Sequence, residues 1–328
     1  IGDNMILLKN LPKVELHLHL DGSVRESTAS EILGVDVSNK MQVNNCKSLS
    51  DYLSKFEIPL IVMQSKENLE RISYELAVDL KKDNVIYAEI RFCPILHTKN
   101  GLSLEEVIDS VLKGLKKVEI KTNLILCMMR NFEEDENKKI IYLAKKYLNK
   151  GVVGIDLAGD ESKYKTQNYE HLFDLVKQNN IPFTIHAGEA DDYNSVLSAI
   201  KFGAKRIGHG VKSVDSIETI QKIINENVTL EVCPTSNVDT CIVNVYKNHP
   251  IKKLYDLGVK ITVNTDNNTV SNIDLTGEYE KLLLTFNFTE KDFLNFNMNA
   301  IDSAFLTNEE KEELKKIVIN SYNCKENI

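Results

Sequence analysis

His17 and His19 stand one residue apart in Val14-Glu15-Leu16-His17-Leu18-His19-Leu20-Asp21-Gly22. A β-strand repeats its side-chain direction every two residues, so both imidazoles point to one face while Leu16, Leu18 and Leu20 point to the other. Two neutral imidazoles converging on one point are half of a metal site. The pair alone describes a solvated strand face equally well. Its meaning changes because remote partners each follow an apolar run of their own. Ile181-Pro182-Phe183-Thr184-Ile185-His186-Ala187-Gly188-Glu189 adds an imidazole and a carboxylate, Arg206-Ile207-Gly208-His209-Gly210 another imidazole, and Val259-Lys260-Ile261-Thr262-Val263-Asn264-Thr265-Asp266 a carboxylate. Histidines, one aspartate and a nearby glutamate make the donor set of a catalytic zinc site rather than of a closed structural one.

The elements that would position these groups are short apolar or β-branched runs, each followed by a longer charged segment of helical period. Eight are visible: Lys13 to His19, Val85 to Phe92, Leu124 to Met129, Val152 to Leu157, Pro182 to His186, Arg206 to His209, Thr229 to Cys233 and Lys260 to Asn264. Between them, Ser103 to Ile120 reads as an amphipathic helix with Leu104, Val107, Ile108, Val111, Leu112 and Leu115 on one face. Ser103 is its expected N-cap, with Glu105 and Glu106 favourably placed at the positive end of the helix dipole.

Repeated β-α units with near-continuous apolar strands imply an α/β fold, a parallel (β/α)8 barrel of the TIM type, covered all round by helices. Chemistry in such barrels sits at the carboxyl ends of the strands, and every candidate ligand falls at one. The first, fifth, sixth and eighth strands supply them, which a closed barrel gathers and an open sheet would spread. The stretch from Leu20 to Asn84 is too long for a simple connection and carries helical patterns, including Leu49 to Gln64. It is expected to form a helical lid, with Tyr52, Leu53 and Phe56 either walling the pocket or packing as the lid's own core. Asn272 to Leu284, Glu290 to Leu306 and Asn308 to Ile319 read as closing C-terminal helices. With no Pro-, Gly- or Ser-rich linker, residues 1–328 are expected to form one domain.

Composition narrows the function classes. The 328 residues carry a formal net charge of -8 and 42% hydrophobic residues, which suits a soluble enzyme and works against an electropositive nucleic-acid surface. Cys46, Cys93, Cys127, Cys233, Cys241 and Cys324 form no Cys-x-x-Cys pair, so they are expected to be reduced and mostly buried. No apolar stretch is long enough to span a bilayer and no signal core follows a basic segment, giving an expectation of a cytoplasmic protein without a membrane partner.

The motifs His17-Leu18-His19-Leu20-Asp21-Gly22, Asp156-Leu157-Ala158-Gly159-Asp160-Glu161, His186-Ala187-Gly188-Glu189, Gly208-His209-Gly210, Glu231-Val232-Cys233-Pro234-Thr235-Ser236-Asn237 and Asn264-Thr265-Asp266, in this order, resemble those of adenosine deaminases in the metal-dependent amidohydrolase superfamily. The likeness runs from Leu11 to Leu306. It implies that His17, His19, His186 and Asp266 bind one Zn2+ per chain, with a position left for water. Zinc lowers the pKa of bound water from 15.7 to about 7, and the resulting hydroxide would attack C6 of adenosine, and of deoxyadenosine, to give the inosine product and ammonia. Glu189 would protonate N1, which requires a carboxyl pKa raised by burial. His209 would orient the attacking hydroxide, stabilising it electrostatically or acting as a base.

For substrate binding the resemblance implies that Asp21 accepts hydrogen bonds from the ribose hydroxyls and that Gly159 offers its backbone N–H to a ring nitrogen. Relatives acting on free adenine tend to carry glutamate in the corresponding motif, so Asp21 favours a purine nucleoside and a role in purine salvage. One departure stands out. Asn267 and Asn268 follow Asp266 where many members have a second aspartate, and an amide donates a hydrogen bond at every pH, so Asn267 is expected to contact N7. Asp156 is expected beside the zinc site as a partner of a ligand. His97, His171 and His249 are expected to be structural. The rival readings are a deaminase of adenine or of an N6-modified adenine nucleotide on the same barrel, and a silent barrel that binds nucleosides. The cytidine-type zinc deaminases are excluded, because their His-x-Glu and Pro-Cys-x-x-Cys signature is absent. Oligomeric state is left open.

Overall fold

Each apolar run becomes a strand. The computed structural model describes residues 7–322, so Cys324 lies outside the described residues. The strands are β1 (Lys13–His19), β2 (Val85–Phe92), β3 (Lys121–Met129), β4 (Val152–Ala158), β5 (Ile185–Ala187), β6 (Arg206–His209), β7 (Thr229–Val232) and β8 (Lys260–Val263). They form two four-stranded parallel sheets in chain order. Parallel bridges between Ile155 and Phe183 and between Leu18 and Asp266 join β4 to β5 and β8 to β1. At the second seam His19 N–H donates to the Asp266 carbonyl at 2.7 Å and Asp266 N–H to the His17 carbonyl at 3.0 Å. The sheet is therefore a closed barrel, and its closing seam runs through three of the expected metal ligands, His17, His19 and Asp266.

The strands differ from the expectation in one instructive respect. Several are apolar on one side only, whereas β3 is apolar on both from Leu124 to Met128. Leu16, Leu18, Ile90, Ile155, Leu157, Ile207, Leu230 and Ile261 join the continuous apolar core. Glu15, His17, Glu89, Arg91, Asp156, Arg206 and Glu231 alternate with them, each at most 1% exposed. TIM-type interiors are usually filled by branched apolar side chains. Here an ionic lattice takes that place.

Element ends moved for identifiable reasons. β3 starts three residues early, because Lys121 to Asn123 pair with Tyr87 to Glu89 despite their polarity. β5 starts late, since Pro182 has no N–H to give and joins β4 only by accepting from Ile155 N–H at 3.0 Å. The helix expected from Ser103 to Ile120 runs Leu104–Leu115, with Ser103 and Glu106 forming a capping box, and the chain then turns to enter β3. Gly114 lets this helix approach the one at Lys66–Lys82, since a Cβ there would lie 2.1 Å from the Glu70 carbonyl oxygen.

The helix Lys66–Lys82 is thus the barrel's own crossover, so the lid is shorter than the whole Leu20 to Asn84 stretch. Its Leu49 to Gln64 pattern breaks into Leu49–Leu53, a 3-10 turn at Ser54–Phe56 and Glu57–Val62. Pro59 has no N–H for the carbonyl of residue 55 and its ring clashes there, so a continuous helix cannot form. The closing helices are Leu275–Phe286, Glu290–Ser303 and Asn308–Ser321. No helix among the described residues is long and apolar enough to cross a membrane. Of the five described cysteines, all free, Cys93, Cys127 and Cys233 are buried, Cys46 is half-buried and Cys241 is exposed, so the expectation of mostly buried thiols holds for three.

Candidate metal centre and active site

β1 delivers His17 and His19 to the barrel mouth, β5 delivers His186 and β6 delivers His209, while Asp266 follows β8 and Glu189 follows β5. His209 and Asp266 have φ of 66° and 65°. Left-handed backbone is uncommon outside glycine and is kept only where surroundings impose it, and here it turns both side chains inward at strand ends.

The donor atoms converge. Asp266 Oδ1 lies 3.2 Å from both His17 Nε2 and His19 Nε2, and His19 Nε2 lies 3.3 Å from His186 Nε2. Donors bound at about 2.0–2.1 Å to a tetrahedral ion stand about 3.3 Å apart, the spacing seen. His17, His186, His209 and Asp266 also have donor atoms within 4.8 Å of one another, so distance alone does not separate His209 from the ligand set. Tautomer chemistry supplies a further test. His17 Nδ1 lies 2.9 Å from Glu231 Oε1 and His186 Nδ1 lies 2.7 Å from Asp156 Oδ2. A carboxylate accepts, so the hydrogen-bonded His17 Nδ1 carries the proton and its Nε2 presents a lone pair to the centre, and the Asp156 carboxylate beside His186 Nδ1 favours the same tautomer there. His17 Nε2 and Asp266 Oδ1 are buried with no hydrogen-bond partner in the protein. Facing lone pairs of this kind fit a cation between them.

Arg91 ties this arrangement together. Its Nη1 donates to Asp156 Oδ2 at 3.0 Å and its Nη2 to Glu231 Oε1 at 3.1 Å, the oxygens that face His186 and His17. Arg206 Nε holds the other oxygen, Glu231 Oε2, at 2.7 Å and its Nη1 meets Glu89 at 2.9 Å. Burial would raise both acceptor carboxyls. The facing His186 ring and the Arg91 guanidinium hold Asp156 below its ordinary pKa instead, and Arg91 with Arg206 holds Glu231 well below.

Glu189 sits in the opposite environment. Burial, then the negative charges of Asp266 and Glu161, push its carboxyl well above the usual range. Its backbone is fixed by Glu161, whose Oε2 accepts from Gly188 N–H at 2.8 Å and whose Oε1 accepts from the N–H groups of Glu189, Ala190 and Asp191 at 2.9–3.2 Å. Glu189 Oε2 lies 3.4 Å from His209 Nε2.

Between the lid and the barrel mouth lies a cavity enclosing about 850 Å³ of space, part of it open solvent. His19, Asp21, Gly159, His186, Glu189, His209, Asp266 and Asn267 line one side, and Leu49, Tyr52, Leu53 and Phe56 the lid side. The wall role considered for Tyr52, Leu53 and Phe56 is thus the one their positions fit. Gly159 has φ of 107°, open to glycine alone at little cost. Asp21 Oδ1 and Asn267 Oδ1 are buried without a partner in the protein. Asn267 Nδ2 donates to Tyr52 Oη at 2.7 Å, which engages one of its two hydrogens and joins the barrel to the lid.

The adenosine deaminase family model matches residues 12–321. This chain belongs to the adenosine deaminase family. It is 43% identical over 329 residues to an adenosine deaminase of Clostridium perfringens, covering 95% of this chain and 99% of that one. It is equally identical over 324 residues to an adenosine deaminase of Clostridium acetobutylicum, covering 94% and 97%. The structure also superposes on the N6-methyl-AMP deaminase of Arabidopsis thaliana with a TM-score of 0.86 at 26% identity, covering 96% and 98%.

None of the remaining histidines joins the donor set. His97 is buried with Nδ1 3.0 Å from the Met63 carbonyl, and His171 lies on the surface 3.0 Å from Glu134. His249 is buried and hydrogen-bonded to Asn237 at 2.9 Å. Sequence reasoning missed Arg91, gave Glu161 and Glu231 no role, and saw nothing linking Asn237 to His209. The signal available for Arg91 was its alternation with Glu89 in an otherwise apolar strand, which marks a paired charge facing inward.

Proposed function

We infer that this chain hydrolyses adenosine, and deoxyadenosine, to the inosine nucleoside and ammonia, using one zinc ion held by His17, His19, His186 and Asp266. The observation that carries this reading is that Glu189, its carboxyl raised by burial, shares one cavity with the converging donor set. When bound, the cation supplies the Lewis acidity that makes water a nucleophile near neutral pH. Addition at C6 drives electrons toward N1, and Glu189 delivers the proton that keeps the ring neutral. His209 orients the attacking oxygen. Asp21 binds the ribose hydroxyls, Gly159 N–H and the free Asn267 amide hydrogen bind ring nitrogens, and the lid residues Tyr52, Leu53 and Phe56 exclude water.

A nucleoside is favoured over a nucleotide because no lysine or arginine is among the described residues lining the cavity, so a 5′-phosphate would be desolvated without a countercharge. Residues 1–328 act as one catalytic domain in purine salvage, in the cytoplasm. The direct test follows release of the amine, ammonia or, from N6-methyladenylate, methylamine, together with the change in ultraviolet absorbance, with adenosine, deoxyadenosine, adenine, adenylate and N6-methyladenylate, alongside metal analysis. Turnover of the two nucleosides by protein carrying one zinc per chain is expected. Preference for adenine or either nucleotide, or no turnover by zinc-loaded protein, would overturn the reading.

A further inference from the structure

Ile251 begins the helix Ile251–Asp256, and its backbone N–H points at His249 Nδ1, 3.0 Å away. A backbone N–H can only donate, so His249 Nδ1 is an acceptor without a proton. The ring's proton is then on Nε2, which lies 2.9 Å from Asn237 Oδ1. The amide is thereby oriented, with its oxygen toward His249 and its NH2 toward the barrel. Asn237 Nδ2 stands 3.1 Å from His209 Nδ1. An amide nitrogen donates, so His209 Nδ1 is also an acceptor. Direction passes without ambiguity from one backbone amide through two side chains to the active-site imidazole.

We propose that His249 and Asn237 are positioning residues that fix the proton of His209 on Nε2, so that this histidine meets the reacting atoms as a hydrogen-bond donor and not as a base. The site's own geometry agrees. His209 Nε2 points into the site toward carboxyl oxygens, Glu189 Oε2 at 3.4 Å and Asp266 Oδ2 at 3.9 Å, where a proton on Nε2 is compatible with its neighbours. His17 and His186 are set the other way, with carboxylates at Nδ1 and lone pairs at Nε2. One amide in place of a carboxylate thus separates the histidine that donates from His17 and His186, two of the three that would ligate. Burial takes His249 down to about 3, so it stays neutral and keeps its acceptor nitrogen at working pH. With no lone pair on the substrate side of His209, the mobile proton of the reaction is left to Glu189. The inference rests on the deaminase reading for its catalytic meaning, but its structural content stands apart.

The test is a long-range proton–nitrogen correlation spectrum of zinc-loaded protein labelled with 15N-histidine, which distinguishes the two neutral tautomers of a histidine that does not bind the metal. The signal of His209 is assigned by its loss in His209→Asn. Wild-type His209 is expected to carry its proton on Nε2. Asn237→Asp offers a carboxylate to Nδ1 and should move the proton there, lowering kcat about a hundredfold, as loss of one aligned donor does, with KM within about twofold and zinc content unchanged. His249→Gln, which keeps a donor toward Asn237, should retain tautomer and rate. His249→Met, which removes it, should yield a mixture and an intermediate rate. A wild-type proton on Nδ1, or Asn237→Asp and His249→Met both with the native tautomer, would overturn the proposal, as would an inverted tautomer at full kcat. Should Asn237→Asp fail to fold, the wild-type spectrum and His249→Met still decide. Failure of wild-type protein to deaminate adenosine would instead remove the functional reading and leave the tautomer assignment standing.

Discussion

Replacing Arg91 by methionine keeps most of the side-chain volume and deletes one buried charge. Glu231 retains Arg206 at 2.7 Å, but among the described residues the only other basic partner of Asp156 is His186. Breaking a buried pair costs about 3–5 kcal/mol, because the surviving partner is left without compensation. Spread over the unfolding entropy of a chain this long, that lowers the midpoint by about 4–7 °C. Asp156 and Glu231 also hold His186 and His17, so zinc affinity should fall by about 10–100-fold. In fixed excess zinc that adds about 1.4–2.7 kcal/mol to the loss. Thermal unfolding followed by circular dichroism, with and without zinc, measures the first effect, and competition with a chelator measures the second. Arg91→Lys should recover little of either, since an ammonium cannot fork to both carboxylates. A midpoint within about 2 °C of wild type together with unchanged zinc affinity would refute the reasoning.

Glu161→Gln should lower kcat by roughly ten- to a hundredfold in steady-state assays with zinc content intact, because an NH2 group would oppose N–H groups that now donate to a carboxylate carrying the Glu189 loop. Gly22→Ala would put a methyl 1.8 Å from Asn267 Oδ1, so Asn267 must shift. The variant should raise KM for adenosine and lose about 1–3 kcal/mol of stability in denaturant titrations. Glu278 is buried and its pKa is pushed up by burial from 4.5 to about 7. The folded state therefore keeps a proton that the unfolded chain has lost, and stability falls as pH rises through that window. Glu278→Gln should show a shallower fall over that window and exceed wild type by on the order of 3 kcal/mol above pH 7, read from urea unfolding at several pH values. Dialysis against a chelator should abolish deamination, and zinc should restore it, with the midpoint rising on reloading.

Much of the site was legible because its residues obey local rules. The period of a strand sets His17 and His19 on one face, and the apolar runs before His186, His209 and Asp266 place them at strand ends. The lattice was not legible, because Arg91, Asp156, Glu231 and Arg206 come from different strands and only barrel closure makes them neighbours. Strand polarity was misjudged for the same reason, since a charge inside an apolar run looks like an interruption until its partner is known. The lid was overextended because a helix facing the barrel and a helix facing a pocket share one periodicity. His249 read as structural, and nothing in Asn248-His249-Pro250 reports that it touches Asn237.

The charged barrel interior bears on how such an enzyme can change. Arg91, Arg206 and the carboxylates of β2, β4 and β7 share oxygens, so the effect of altering one depends on which of the others are present. Substitutions made singly inside the barrel should interfere with one another by whole kilocalories, while the lid, linked through few polar contacts, can vary one residue at a time. New substrates are therefore more accessible to drift in the lid than to any stepwise rebuilding of the floor beneath the metal.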